Sequence, residues 1–311
     1  MSTLQATNLK NAASVSNNIV LDGSGNAAFA GTVTVGGALV PSSSFLRNRI
    51  INGGFDVWQR GTSTSTNFAY LADRWMVAAA GSITGSQSSD VPSSAFRFSL
   101  SVSGTNTPQT LQRIESVNCL GLVGQSVTVS FWVKQTSGAG TNSMGAQILF
   151  PTTTDNYAAV TGITTNLITA TPSWTYVTTT FSSLPAAAAN GVQLLIYATT
   201  AGSATFLVTG VQLEVGSAAT PFERRQYGQE LALCQRYFAR SGSITTSNQT
   251  ASQVQCTGQG SFPVTMRASP TLSATDITGL GVNENRDLAL SLQVAAFQSR
   301  STGTISGNAE L

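Results

Sequence analysis

Residues 126–134, SVTVSFWVK, place Val127, Val129, Phe131 and Val133 on one face and Thr128, Ser130, Trp132 and Lys134 on the other. Alternation at period two is what an extended strand with one buried face requires. The same character returns in FRFSLSV, AQILF, TYVTTTF, VQLLIYAT and TFLVTGVQLEV, with SGTNTP, TSGAGTNS and AAAANG as turn-rich spacers. Strand following strand with no helix between predicts an all-β antiparallel β-sandwich. The length of this region suits a jelly roll.

Composition narrows the chemistry. Lys and Arg total 15, Asp and Glu total 13, and charged residues are 9% of the chain. No basic run is present, so no nucleic-acid partner is expected. Histidine is absent, which removes histidine triads, histidine general bases and histidine metal ligands. The few acidic residues are scattered, so no catalytic residues are assigned and the chain is not expected to be an enzyme. No apolar run reaches the roughly 18 residues of a membrane-spanning helix, so no membrane insertion is expected. The start, MSTLQATNLKNAASV, lacks the basic and apolar regions of a signal peptide. Cys119, Cys234 and Cys256 have no metal-ligand spacing, and an odd number argues against a disulfide framework. They are expected as buried free thiols of a protein folded in a reducing cytoplasm.

Four segments are expected. Residues 1–45 are rich in Gly, Ala, Ser and Asn, with short β-prone pieces that need a partner to order. Residues 46–224 form the jelly-roll β-sandwich. Residues 225–240 form a short linking helix, in which Tyr227, Leu231, Cys234 and Phe238 share a face at helical period, with Leu233 and Tyr237 beside them. Residues 241–311 return to β character as a small C-terminal β-domain. The segment from Glu214 to Phe238 is unusually charged for this chain: Glu214, Glu223, Arg224, Arg225, Glu230 and Arg236 all fall within it.

Three long motifs then stand out: RNRIINGGFDVWQRGTS with YLADRWMV after it; VTGVQLEVGSAATPFERRQYGQELALCQRYF; and FPVTMRASPTL with the terminal GNAEL. Together they resemble tail-fibre and related fibre proteins of bacteriophages and prophages, and the leader NNIVLDGSGNAAFAGTVTVGGAL is similar to the amino-terminal segments of such fibres. The resemblance implies a virion protein attached through an extended N-terminal segment, residues 1–45, to a tail or baseplate adaptor. It also implies a carbohydrate-binding-module-like jelly roll whose first and last strands pair at NGGFD and VQLEVG. Some such modules hold a structural calcium between these ends. Asn52, Asp56 and Glu214 offer the oxygen ligands it would need. No other cofactor is implied.

The leading reading is a homotrimeric tail fibre that presents β-domains to host-surface polysaccharide. Glu223, Arg224, Arg225, Tyr227, Glu230, Leu231, Cys234, Arg236 and Phe238 would form the junction, with the helices meeting near the trimer axis or docking on their own jelly roll. Glycan contacts are expected from Asp155, Asn156 and Tyr157 at a loop tip and from Trp132, whose outward ring meets either a sugar or another subunit. Tyr70, Trp174, Tyr176 and Tyr197 are further aromatic candidates, as are Trp58 and Trp75, whose place in the fibre-like motifs points to an architectural role. The alternatives are a capsid head-fibre or decoration protein, a baseplate component and, less favoured, a tailspike depolymerase. The expected location is the virion tail, or else the capsid surface.

Overall fold

The computed structural model describes residues 47–163, 166–246, 254–259, 262–274, 289–294 and 301–311, with short pieces at 8–9, 19–21, 27–29, 34–35 and 38–39. The chain divides into two units, Met1–Phe45 and Leu46–Leu311. In the first, β1 (Asn8–Leu9), β2 (Ile19–Leu21) and β3 (Ala27–Phe29) make a three-stranded sheet, and β4 (Thr34–Val35) pairs with β5 (Ala38–Leu39). The virion-attachment role expected of residues 1–45 falls largely outside the described residues.

The second unit opens with β6 (Ser63–Thr64), β7 (Ala69–Tyr70), β8 (Met76–Ala78), β9 (Ile83–Ser88), β10 (Ser99–Thr105) and β11 (Gln109–Ile114). After a 3₁₀ turn at Ser116–Cys119 come β12 (Val127–Ser137), β13 (Gly140–Thr153), β14 (Asn156–Gly162), β15 (Asn166–Ala170) and β16 (Thr175–Phe181). A second 3₁₀ turn at Ala186–Asn190 leads to β17 (Val192–Ala198) and β18 (Ser203–Val215). One sheet has the order β16-β12-β18-β10-β9-β6; the other runs β14-β13-β17-β11-β8-β7, with β15 also on β13. Every pairing in both sheets is antiparallel. This is the two-sheet sandwich of a jelly roll.

The core lies between the sheets. Val127, Val129, Phe131 and Val133 are fully buried there, facing Met144, Ala146, Ile148, Val192, Leu194 and Ile196 of the other sheet. Each such aliphatic or aromatic side chain contributes about 1.5–3 kcal/mol on leaving water. Trp75 packs against Phe55 with ring centroids 5.1 Å apart.

The motif RNRIINGGFDVW runs along β18 without joining the sheet as a regular strand. Arg49 N–H donates to Leu213 O at 2.8 Å, and Val211 N–H donates to Gly53 O at 2.9 Å. A Cβ on Gly53 would sit 2.1 Å from Val211 O, so only glycine allows this approach. Asn48 fills the gaps in the ladder, accepting from Leu213 N–H (3.1 Å) and donating to Val211 O (3.2 Å).

Beyond the sandwich stand α1 (Tyr227–Gln235), β19 (Phe238–Thr246), β20 (Val254–Gln259), β21 (Thr271–Ala274), β22 (Ala289–Val294) and β23 (Ser301–Asn308). The order β19-β23-β21 makes one sheet, and β20 pairs with β22. The helix is shorter than its sequence pattern predicts. Tyr237 N–H turns back to Cys234 O at 2.9 Å, and Arg236 O is taken by Arg267 N–H at 2.8 Å. The chain therefore leaves the helix, and Phe238 begins a strand. Cys234 and Tyr237 are buried against Ile51 and Val57, with Leu231, Leu233 and Leu311 around them. Tyr227 is 57% exposed and lies outside this packing.

The C-terminal strands return to the sandwich through an ionic clasp. Glu310 pairs with Arg60 at 2.7 Å and also with Arg74, while Arg113 and Tyr70 donate to Leu311 O at 2.5 and 3.1 Å. Arg74 lies over the Tyr237 ring, its guanidinium carbon 3.5 Å from the centroid. The side chains of Arg74 and Glu310 are 1% and 5% exposed, so removing one partner strands a buried charge. Glu310→Gln is expected to cost about 3–5 kcal/mol, read as a fall in melting temperature. Arg74→Met combined with Glu310→Leu is expected to recover only part of that loss, because Arg60 is then left with Asp73 at 3.9 Å.

Asp73 adds a pH dependence. Burial pushes its carboxyl up to about 6, against the downward pull of Gln59 N–H and Arg60. A carboxyl raised in the folded state contributes stability that is full below its unfolded value of about 3.9 and is lost as pH rises through about 6. Wild type is therefore expected to gain more in melting temperature than Asp73→Asn when the pH is lowered from about 7 to about 5; parallel curves would contradict this assignment.

Candidate functional site

The seven-stranded sheet turns its second face away from the core. Its register lines up three rows on that face. Ala78, Gln109, Tyr197 and Gly145 form the first; Met76, Leu111, Leu195 and Gln147 the second; Arg113, Gln193 and Leu149 the third, which ends at Gly162. Met76, Leu111 and Leu195 form a buried apolar floor, with Tyr70, Leu149 and Tyr197 partly exposed around it. Gln193 Oε1 accepts from Arg113 Nε at 3.1 Å, and Gln147 Nε2 donates to Ile163 O at 3.3 Å. The result is an apolar surface with two phenol rings, edged by amides and a guanidinium.

Two glycines shape it. The Tyr197 ring lies across Gly145, where a Cβ would meet its Cζ at 2.7 Å, and Leu149 lies across Gly162, where a Cβ would meet Cδ2 at 2.6 Å. A glycine inside a strand marks such a close approach.

The expected loop site is not formed as a sugar surface. Tyr157 is 8% exposed, and its hydroxyl donates to Ile114 O at 2.6 Å. Burial pushes its pKa up. Asp155, at φ 55°, accepts from Ser116 N–H at 2.7 Å and from Ser116 Oγ at 3.1 Å, which ties its carboxylate to the 3₁₀ turn. Asn156 is exposed, and its Oδ1 accepts from Ala158 N–H at 3.0 Å. Trp132 lies half-buried on the outward face of the other sheet, 5.2 Å from Tyr176 between centroids.

Asn52, Asp56 and Glu214 do not converge as a calcium site. Asn52 Oδ1 accepts from Val57 N–H (3.0 Å), Asp56 pairs with Arg224 (2.7 Å), and Glu214 accepts from Thr220 N–H (2.8 Å) with Arg47 nearby at 3.6 Å. Guanidinium groups face the two carboxylates where the cation was expected. Among the described residues no group of three or more His, Cys, Asp or Glu side chains is placed to hold a metal ion.

The junction charges are spent within the chain. Glu223 accepts from Asn48 N–H (2.8 Å), Arg225 donates to Ile50 O (2.9 Å), Glu230 accepts from Asn52 N–H (2.5 Å), and Arg236 pairs with Glu115 (3.0 Å). Of the two arrangements expected for the helix, docking on its own jelly roll is the one seen. Cys119 and Cys234 are buried free thiols; burial raises Cys119 to about 12 and Cys234 well above its ordinary value. The side chain of Cys256 lies outside the described residues.

Residues 48–202 match the carbohydrate binding domain family. The matched range spans both sheets as far as β17 and stops just before β18, the central strand that pairs with β12 and β10. No curated protein matches the chain. Among solved structures, the enzymatically active domain of tailspike protein 4 of bacteriophage CBA120 is similar at 17% identity, over 55% of this chain and 22% of that one, with a TM-score of 0.39. This chain thus spans less than a quarter of the tailspike chain. A putative sugar binding protein from Bacteroides thetaiotaomicron is similar at 13% identity, over 54% of this chain and 100% of that one, with a TM-score of 0.38. The family 11 carbohydrate-binding module of a Clostridium thermocellum cellulase is similar at 14% identity, over 50% of this chain and 96% of that one, with a TM-score of 0.32.

Reading by sequence picks out Tyr70 and Tyr197 only as two aromatic residues among many. It misses Gln109, Gln147 and Gln193, although Gln147 and Gln193 each lie between apolar neighbours in their strands, and it misses Gly145. Gly145→Ala is expected to displace Tyr197 and cost about 1–3 kcal/mol by overpacking. Gly228→Ala, in α1 with open space at its Cβ, is expected to be neutral or to stabilise by up to about 1 kcal/mol. Thermal melts of the two variants check both.

Proposed function

We propose that this protein is a bacteriophage fibre subunit that binds host-surface polysaccharide through the outward face of its seven-stranded sheet. The observation that carries the reading is the apolar floor of Met76, Leu111 and Leu195 framed by Tyr70 and Tyr197, within a region that matches a carbohydrate binding domain. The CH face of a pyranose ring stacks on the phenol rings that the buried floor supports, and its hydroxyls pair with the partly exposed amides of Gln109 and Gln147. No Asp or Glu stands in these rows, whereas glycoside cleavage uses a pair of carboxylates. This favours binding without catalysis.

The fibre motifs support the remainder. In this reading residues 1–45 attach the subunit to a tail or baseplate adaptor, the subunits form a homotrimer, and the sandwich faces the host. Three copies raise the avidity of a weak glycan contact. A head fibre on the capsid surface would use the same face.

Purified protein, added to host cells before phage, is expected to lower phage adsorption with dose, and Tyr197→Ala to need about ten times the concentration, equivalent to about 1.4 kcal/mol. Folded protein that leaves adsorption unchanged at every dose would contradict the receptor-binding reading. A solution mass of three subunits is expected, and a stable monomer would overturn the homotrimer.

A further inference from the structure

The six-stranded sheet also has an outward face, and its aromatic residues are unequally placed. Register sets Trp132 opposite Tyr176 of the edge strand β16 and opposite Thr209 of β18. Between Ser130 and Trp132 the pairing with β18 slips. Gly210 lies in this irregularity at φ +65°. A Cβ there would stand 2.8 Å from Phe96 Cζ and 3.3 Å from Trp132 Cδ1. The bulge thus makes room for Phe96 on one side of Trp132, while Tyr176 flanks the other. Bulges commonly re-aim side chains beside functional sites.

The Trp132 and Tyr176 rings are 5.2 Å apart at 48°, and Tyr176 is 40% exposed. A polar group is fixed on the same face. Asp90 accepts from Lys134 Nζ at 2.7 Å and from the Trp174 indole N–H at 2.8 Å. Its side chain is 43% exposed. A carboxylate has about four acceptor positions, so two donors leave Asp90 able to accept from hydroxyls. These two donors also hold the carboxyl below the usual range, in the acceptor form. The main core lies on the other side of the sheet, so packing there does not require this group of rings.

We propose that Trp132, Tyr176 and Trp174, with Asp90 and Lys134, form a second glycan site on the face opposite the Tyr70–Tyr197 surface, taking neutral hexopyranose units. This rests on the carbohydrate-binding reading above. The sugar's CH face stacks on Trp132 and Tyr176, and adjacent hydroxyls donate to Asp90 and accept from Lys134. The charge of Lys134 is already paired, and Asp90 repels carboxylated sugars, so the site discriminates against acidic glycans. Two faces on one module would let a subunit contact two strands of a surface polysaccharide.

The test uses the full chain on an array of bacterial surface polysaccharides, neutral and acidic, with Trp132→Ala, Tyr176→Ala, Trp132→Phe and Tyr197→Ala alongside wild type. The expected result is a set of neutral-glycan signals that falls at least tenfold in Trp132→Ala and Tyr176→Ala, persists in Tyr197→Ala and is largely kept by Trp132→Phe. Tyr176, at the exposed edge, keeps the test valid if Trp132→Ala fails to fold. Glycan signals that all survive in Tyr176→Ala and Trp132→Ala overturn the second site while leaving the first. A change of solution mass in these variants with glycan binding intact also overturns it, and marks the face as a contact between copies. Wild-type protein that binds no glycan sinks the carbohydrate-binding reading itself.

Discussion

Asn52 is a buried polar residue on which several separate segments of this fold converge. Its amide donates to Val57 O and Asp73 O at 2.9 and 3.0 Å, and its Oδ1 accepts from Val57 N–H. Its own N–H reaches Glu230 on the helix, and its carbonyl accepts from the Trp75 indole. At φ 57° it holds a left-handed conformation that asparagine tolerates better than most residues. One buried residue, through its side-chain amide and its backbone, therefore ties the opening motif, the turn before β8 and the helix after the sandwich. The charged segment from Glu223 to Arg236 completes the arrangement by serving backbone groups that the irregular motif leaves outside any sheet ladder. That is why charge and helix occur together in a chain otherwise poor in both.

The sandwich was legible because its signal is local and periodic. Val127, Val129, Phe131 and Val133 had to share a face whatever their partners were, and they are all buried. The end of the helix was not legible. Phe238 fits the helical stripe, but a tertiary bond from Arg267 to the Arg236 carbonyl ends the helix before it. Nor was the burial of Tyr157 legible, since Asp-Asn-Tyr in a threonine-rich loop has the chemistry of a surface and only the Ile114 carbonyl reveals the inward turn. The calcium trio failed for a similar reason. Oxygen-bearing residues were identified, but the arginines that take those oxygens come from positions 47 and 224, far apart in the chain.

The candidate site depends on register, which composition does not encode. Tyr70 and Tyr197 are more than a hundred residues apart, and the ladder β7-β8-β11-β17 brings them around one apolar floor. Gln147 and Gln193 follow from strand alternation once the inward face is known, whereas Gln109 lies in a strand with polar residues on both faces. Gly145 has meaning only when the Tyr197 ring is seen to lie across it. The two sheets use the same logic on their outward faces, with glycine giving up a side chain so that a neighbouring ring can lie flat or lean.

The most direct test is hydroxyl-radical footprinting of the full chain with and without host-surface polysaccharide, read side chain by side chain by mass spectrometry. Protection of Tyr70, Leu149 and Tyr197, with Tyr227 unchanged, is the predicted result. Binding that leaves those three residues as reactive as in the free protein would contradict the assignment of the glycan surface to the seven-stranded sheet.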